Sequence, residues 1–301
     1  MKLQLDVYFV TPFVNGDAGS GNPAAVCIVN GPIAEATMSY IAETLNQPET
    51  VFARKRSEGT WELRWYTPAG DAIAPGGNGT VAASYVLLNA IEKDLPKVTL
   101  LSEHRQLDSW AERSEDGLIS VALPSVPARQ VIPAYRYVLS EAFSGYEPQS
   151  YLAGQEDLIM VFDSEEQVRS LVPNFSLLVN TDYVAYIVTA KGEREGFVYR
   201  TFLTSHGRKR WECPGSARAL MNLVPYWAPL LGGKQLILAQ QLSKRGGEAQ
   251  CRLADCGDGD CVIIKTKCEL VGGPSRFVFD AMGGESDDPD CSLNHSPLIW
   301  C

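Results

Sequence analysis

The chain of 301 residues has no apolar run long enough to span a bilayer. Its first residues, MKLQLDVYFV, lack the apolar stretch and small-residue cleavage site of a secretory leader. The cytoplasm is therefore the expected compartment, and a membrane is not expected as a partner. Basic residues are the minority, 26 against 36 acidic, for a formal net charge of −10. With no basic patch to neutralise phosphates, nucleic acid is not an expected partner either. The densest basic run, Arg208-Lys209-Arg210, reads as a solvated turn. Histidine is scarce, with only His104, His206 and His295, and His206 reads as an exposed turn residue. There is no Ser/His/Asp set, no Walker loop and no G-x-G-x-x-G fingerprint, so hydrolase and NAD-linked readings fall away. The eight cysteines include no paired C-x-x-C, and a metal site is not expected. In a chain of this length they read as free thiols. The cluster Cys251, Cys256, Cys261 and Cys268 reads as part of a β-hairpin turning at Gly257-Asp258-Gly259.

What the chain does have is a stretch that occurs twice. Residues 64–88 read RWYTPAGDAIAPGGNGTVAASYVLL, and residues 200–224 read RTFLTSHGRKRWECPGSARALMNLV. Each begins with a short β-type run, passes a polar turn and a Gly-containing loop, and enters an apolar segment suited to a buried helix. Glycines just before a helix leave backbone N–H groups free to face an anion, and the helix dipole adds to the attraction. Two such elements suggest two helix N-termini gripping one small acid in a cleft between duplicated lobes.

An apolar content of 45% and a charged content of 21% describe a globular chain, long enough for two domains. The proline-marked segment Pro124-Ser125-Val126-Pro127 suggests the boundary. The expected division is a lobe over 1–126, a second over 127–282, and a tail over 283–301 whose apolar end packs back on the body or stays mobile.

Asp6-Val7-Tyr8, Gly21-Asn22-Pro23-Ala24-Ala25-Val26 and Asn46-Gln47-Pro48-Glu49-Thr50-Val51-Phe52 resemble, in order and spacing, three signatures of the PhzF-like (phenazine biosynthesis-like) family. Pro173-Asn174-Phe175, Ile187-Val188-Thr189-Ala190 and Val271-Gly272-Gly273 extend the resemblance over nearly the whole chain. It implies an α/β (α+β) diaminopimelate-epimerase-like fold: two pseudo-symmetric lobes, each a curved, mostly antiparallel sheet around a central helix, with the active site between them. It also implies a homodimer, and proton chemistry without metal or organic cofactor beside a carboxylate or carbonyl of a small molecule. The outcome of that chemistry is isomerisation, epimerisation, dehydration or ring closure.

By the same resemblance Glu49 is the main acid/base. A carboxyl serves near neutral pH where burial raises its pKa, and Leu45, Val51 and Phe52 supply apolar surroundings. Cys213 stands where the family carries Asp, in a loop shortened toward the C-G-T-G-A of racemases on the same fold. It is the candidate partner acid; filling a small buried space is its other reading. The first loop, Gly76-Gly77-Asn78-Gly79-Thr80, matches the racemase loop except that Gly76 replaces its Cys, which excludes a two-thiol mechanism. Gly77, Asn78, Gly79 and Thr80 are expected to bind substrate oxygens, with Asn22, Gly215 and Ser216 in support. Asp71 receives no role. The leading reading is a cofactor-independent isomerase of a small biosynthetic intermediate, dehydratase and cyclase variants included, in secondary metabolism. A PhzF-like protein that only binds a ligand, and an amino-acid epimerase, stay open.

Overall fold

The computed structural model describes residues 2–73, 76–102, 105–178, 183–204, 211–233, 236–257 and 259–280, the side chains of 105–108 excepted. The chain runs β1 (Lys2–Pro12), β2 (Ala24–Val29), α1 (Glu35–Leu45), β3 (Glu49–Ser57), β4 (Thr60–Tyr66), β5 (Ala72–Ile73), α2 (Gly77–Val86), β6 (Lys97–Ser102), β7 (Arg105–Arg113) and β8 (Ile119–Pro124). It continues as β9 (Arg129–Val131), α3 (Arg136–Ala142), β10 (Ser150–Ala153), β11 (Asp157–Val161), α4 (Glu165–Ser170), β12 (Ala185–Lys191), β13 (Gly196–Leu203), β14 (Trp211–Cys213) and α5 (Ala217–Leu230). The strands β15 (Ile237–Gln241), β16 (Gly247–Asp255), β17 (Asp260–Thr266) and β18 (Cys268–Asp280) complete it.

The internal repeat is a repeat of topology. In β2–α1–β3–β4–β5–α2–β6–β7, a helix joins two parallel strands, two antiparallel strands follow, and α2 leads to β6, which lies parallel to β4 and antiparallel to β7. The series β11–α4–β12–β13–β14–α5–β15–β16 repeats every one of these relations. The architecture is the expected mixed α/β type, mostly sheet with few helices.

The chain forms two compact units, and they are interleaved in sequence: 1–12, 23–121 and 268 onward in one, 13–22 and 122–267 in the other. The change near residue 121 lies close to the boundary expected at 126, but two segments change sides. β18 pairs antiparallel with β1 over its whole length, which holds 268–280 in the first unit. Residues 13–22 belong to the second because Val14 donates to the Lys267 carbonyl, Glu248 to that of Phe13 and Gly21 to that of Gly246. Backbone pairing between residues distant in sequence, which a proline-marked break cannot reveal, sets both assignments.

Each unit is organised by a helix buried nearly all round. α2 hides Gly77 through Ser84 and Val86, and α5 hides Ala217 through Val224, the pattern of a core helix. In the first unit α1 covers the opposite sheet face through Met38, Ile41 and Ala42, packed with Val7, Ala25, Cys27 and Phe52. In the second, Leu139, Phe143, Met160, Tyr186 and Phe202 form the corresponding outer core.

One expectation is corrected. Cys256 and Cys261 are joined in a disulfide, whereas Cys27, Cys213, Cys251 and Cys268 are free thiols. The hairpin does form, and its turn brings the two Cα atoms to 5.9 Å, within bonding range. Compartment and motif spacing alone do not carry that register. Arg208-Lys209-Arg210, the three histidines, Asp258 and the tail 283–301 lie outside the described residues. Among the described residues no helix is long and apolar enough to cross a membrane.

Candidate functional site

Local sequence rules place Glu49. Asn46 ends α1 in the left-handed conformation, φ 48°, which Asn tolerates better than most residues. Pro48 cannot extend a helix, so β3 starts at Glu49, opposite Ala24 of β2. Side chains alternate along the strand. Glu49 therefore shares a face with Val51, whose antiparallel partner is Trp65, and this face looks onto α2.

The Glu49 side chain is 1% exposed. Its Oε1 lies against the first turn of α2: a Cβ on Gly76 would overlap it, and a Cβ on Gly79 would come to 2.5 Å from it. The indole of Trp65 closes the same space from the other side, at 2.5 Å from a Gly76 Cβ. Gly76 and Gly79 thus serve close approach of a carboxyl to a helix N-terminus. The Trp65 Nε1–H is buried and has no acceptor among the described residues. Asn78 and Thr80 are buried too, and the Thr80 hydroxyl donates back to the Gly76 carbonyl, bracing the turn. Asp71 lies outside this group. Its backbone and carboxylate accept from Thr67 and close the β4–β5 turn.

A second group forms within the other unit. Cys213 ends β14 and is fully buried. Its thiol donates to the Gly215 carbonyl at 3.2 Å, and the Asn22 amide donates to its sulfur at 3.7 Å and to that carbonyl at 2.8 Å. The Gln241 amide donates to the Cys213 carbonyl. Ser216 is the N-cap of α5, its hydroxyl oxygen accepting from the Ala219 N–H at 3.1 Å. The structure thus gathers Glu49, Gly77, Asn78, Gly79 and Thr80 in one unit, and Asn22, Cys213, Gly215 and Ser216 in the other.

Sequence reasoning overlooked what holds the second group. Arg218, two residues past the cap, chelates Asp157 with Nε at 3.0 and 2.9 Å and Nη2 at 2.6 Å. Asn222 adds a bond to the same carboxylate at 3.2 Å. All three are buried, so the first turns of α5 are fixed to the start of β11. An Arg in an otherwise apolar helix was the available signal. Trp65 was overlooked for the opposite reason, since an aromatic residue in a strand reads as core. The other thiols offer less: burial pushes those of Cys27 and Cys251 well above the ordinary thiol range. Among the described residues no cluster of three or more His, Cys, Asp or Glu could hold a metal ion.

Comparison with known proteins shows the family and the fold. The sequence pattern of the family described as "Phenazine biosynthesis-like protein" matches residues 13–260. An "uncharacterized isomerase" of Pseudomonas aeruginosa is 33% identical over 268 residues, covering 89% of this chain and 95% of that protein. The crystal structure of a phenazine biosynthesis protein of the PhzF family from Enterococcus faecalis superposes with a TM-score of 0.78 at 29% identity, covering 90% of this chain and 98% of that one. At the level of fold alone, a probable proline racemase from Agrobacterium radiobacter superposes with a TM-score of 0.56 at 11% identity, covering 96% and 94%. The family pattern spans most of the chain, and the repeated topology and both loop groups fall within it: the chain belongs to the phenazine biosynthesis-like, or PhzF-like, family.

Proposed function

We propose that this protein is an isomerase that removes a proton beside a carboxylate or carbonyl of a small molecule and returns it at another carbon or on another face. The packing of the Glu49 carboxyl against Gly76 and Gly79 carries the reading. Burial penalises a charged carboxylate, so a buried carboxyl can accept and release a proton near neutral pH. When Glu49 takes the proton, negative charge passes to the substrate oxygen. The N–H groups at the start of α2, from Gly77 to Gly79, are suited to stabilise it, whereas that of Thr80 already donates to the Gly76 carbonyl. Cys213 is the second proton carrier in this proposal: its sulfur both donates to a carbonyl and accepts from an amide, so either protonation state finds a partner. The description of the Pseudomonas aeruginosa relative as an isomerase supports the reaction class. Dehydration or ring closure, secondary metabolism and a homodimeric state belong to the same proposal, as finer points that the family resemblance suggests.

The test is proton exchange in deuterium oxide over a panel of small carboxylates and carbonyl compounds, read by mass spectrometry, with Glu49→Gln and Cys213→Ser beside the wild type. Exchange that vanishes in Glu49→Gln supports the reading, and a loss in Cys213→Ser gives the thiol its role. Exchange that survives in Glu49→Gln sinks the assignment of the base. Ligands that bind tightly and stay unlabelled favour a pure binding protein.

One observation favours a second reading, an amino-acid epimerase. Glu49 Oε1 fills the volume that a side chain on Gly76 would enter, where the resembled racemase loop carries its thiol. Glu49 would then replace that thiol. Interconversion of an L- and a D-amino acid in both directions would establish this reading over the first.

A further inference from the structure

The indole N–H of Trp65 is a donor that the folded chain leaves over. Trp65 is 5% exposed, and its Nε1 is buried with no acceptor among the described residues. It lies between Val51 of β3 and Ile73 of β5, apolar neighbours whose side chains offer none. The next residue, Tyr66, packs edge-on against Phe52 in the core on the α1 side, so Trp65 faces α2. Its Cδ1, the ring atom bonded to Nε1, would lie 2.5 Å from a Cβ on Gly76 and 3.0 Å from one on Gly79, the same two points that Glu49 Oε1 crowds. The edge of the ring that carries the N–H therefore lines the contact between the carboxyl and the first turn of α2. A buried donor without a partner costs about 1–3 kcal/mol, so its presence calls for one.

The topological repeat places a second such group at the same register. Thr201 of β13 lies between Ile187 of β12 and Cys213 of β14, as Trp65 lies between Val51 and Ile73. In each unit the partner on the last of these strands stands three residues before a helix cap: Ile73 before Gly76, Cys213 before Ser216. Thr201 is 1% exposed, and its hydroxyl too has no partner among the described residues. One residue carries an indole and the other a hydroxyl, so the repeat keeps the unpaired donor and not the side chain.

We propose that Trp65 is a substrate-binding residue, its indole N–H donating to an oxygen on or next to the carbon from which Glu49 takes the proton. For the reaction itself this rests on the isomerase reading, which it deepens by naming the chemistry of the substrate at this point. An indole N–H donates and cannot accept. The group beside it is therefore a carbonyl or carboxylate oxygen, and an ammonium group, which only donates, is excluded there. As the proton leaves, charge gathers on that oxygen, and a donor already in place in a buried site strengthens its hold. The substrate class is a carboxylate or 2-oxo acid whose amino group, where it has one, points away from β4.

The indole is its own reporter. Protein labelled with ¹⁵N at the indole nitrogens gives a signal for each of the 6 tryptophans, and Trp65→Phe assigns that of Trp65. It is titrated with oxalate, pyruvate and ethylammonium up to about 10 mM, the range expected of so small a ligand. The two anions are expected to move the Trp65 N–H downfield and saturably, whereas ethylammonium at equal ionic strength does not. The response should persist in Glu49→Gln. Trp65→3-benzothienylalanine keeps both fused rings and replaces the N–H by sulfur. Calorimetry should then show oxalate binding weakened at least about tenfold, as the loss of a hydrogen bond to a charged group predicts. In deuterium exchange, kcat/KM should fall by a similar factor on any compound that the wild type exchanges. A Trp65 signal that stays still with both anions overturns the proposal. So does a response lost in Glu49→Gln, which would make the carboxyl the partner of the indole, or oxalate binding undiminished in the sulfur analogue. The two readings fail separately. Exchange that the sulfur analogue retains in full sinks the indole donor and leaves the isomerase. Anion binding at Trp65 with no compound exchanged sinks the isomerase and leaves the donor.

Discussion

The Glu49 carboxyl occupies the space into which a side chain on Gly76 would grow. One residue is an acid at the start of a strand, the other a glycine at the start of a helix, and each explains the other. Gly76 has φ −77°, which any residue adopts, so its requirement for glycine is one of room and not of backbone freedom.

Gly76→Ala therefore forces the carboxyl or the Trp65 ring to move. The expected loss is about 1–3 kcal/mol of stability, typical of overpacking a tight interior. Proton exchange should fall together with it. Urea unfolding and the deuterium assay on the same preparation check both. An alanine variant with unchanged stability and exchange would show that Glu49 does not depend on this contact.

Trp65→Phe keeps an aromatic side chain but loses one of the two fused rings together with the indole N–H, which is buried and has no acceptor among the described residues. Losing an orphan donor offsets part of the cavity cost, so the variant should lose less than the roughly 3–5 kcal/mol of a truncation to alanine. If substrate supplies the missing acceptor, exchange should fall by about tenfold. Thermal melting and exchange rates separate these effects.

Arg218→Ala removes the partner of Asp157 and leaves a buried carboxylate uncompensated. The expected cost is about 3–5 kcal/mol, read from denaturant midpoints. A loss of about 1 kcal/mol or less would class the pair with exposed ion pairs.

Ser216→Ala deletes the cap of α5 and should cost about 1 kcal/mol. Ser216→Asp, which keeps a capping oxygen, should recover most of it. A full loss in the aspartate variant would mean that the hydroxyl acts through something other than the cap.

Stability should fall in alkali. Burial raises the folded-state pKa of Cys27 and Cys251 above the ordinary thiol value. Above about pH 8.5 the unfolded chain ionises these thiols and the folded chain does not, so the unfolded state binds fewer protons and stability drops as pH rises. The contribution is fully present below that pH. Each thiol adds a slope of about 1.4 kcal/mol per pH unit above it. Denaturant unfolding between pH 7 and 10 should show the decline, and Cys27→Ala combined with Cys251→Ala should make it shallower, with burial of the Cys268 thiol retaining a share.

Much of this was legible in the chain itself. Asn46, Pro48 and Glu49 write a helix stop and a strand start into adjacent positions. The two glycine loops before apolar helices mark the topological repeat. The β-branched and aromatic residues of Ala24–Val29 and Gly196–Leu203 suit the core strands they form. Other elements were not legible. The charged, mixed segment of β7 and the three-residue β14 carry no periodicity that separates strand from loop. Their strand character comes from the neighbours they pair with.

The site divides along the same line. Local chemistry chose the residue types: an acid after a proline, glycines before a helix, and a cysteine before a cap. Their order in the chain was enough to mark them as candidates for the site. Partnership was decided by the tertiary structure. Only folding sets the Glu49 carboxyl on Gly76, the Asn22 amide on the Cys213 sulfur and Arg218 on Asp157. Sequence acts over the few residues that one turn or one strand can span. Burial, hydrogen bonding and charge act over distance in space, and the pairing of β1 with β18 joins positions more than two hundred residues apart.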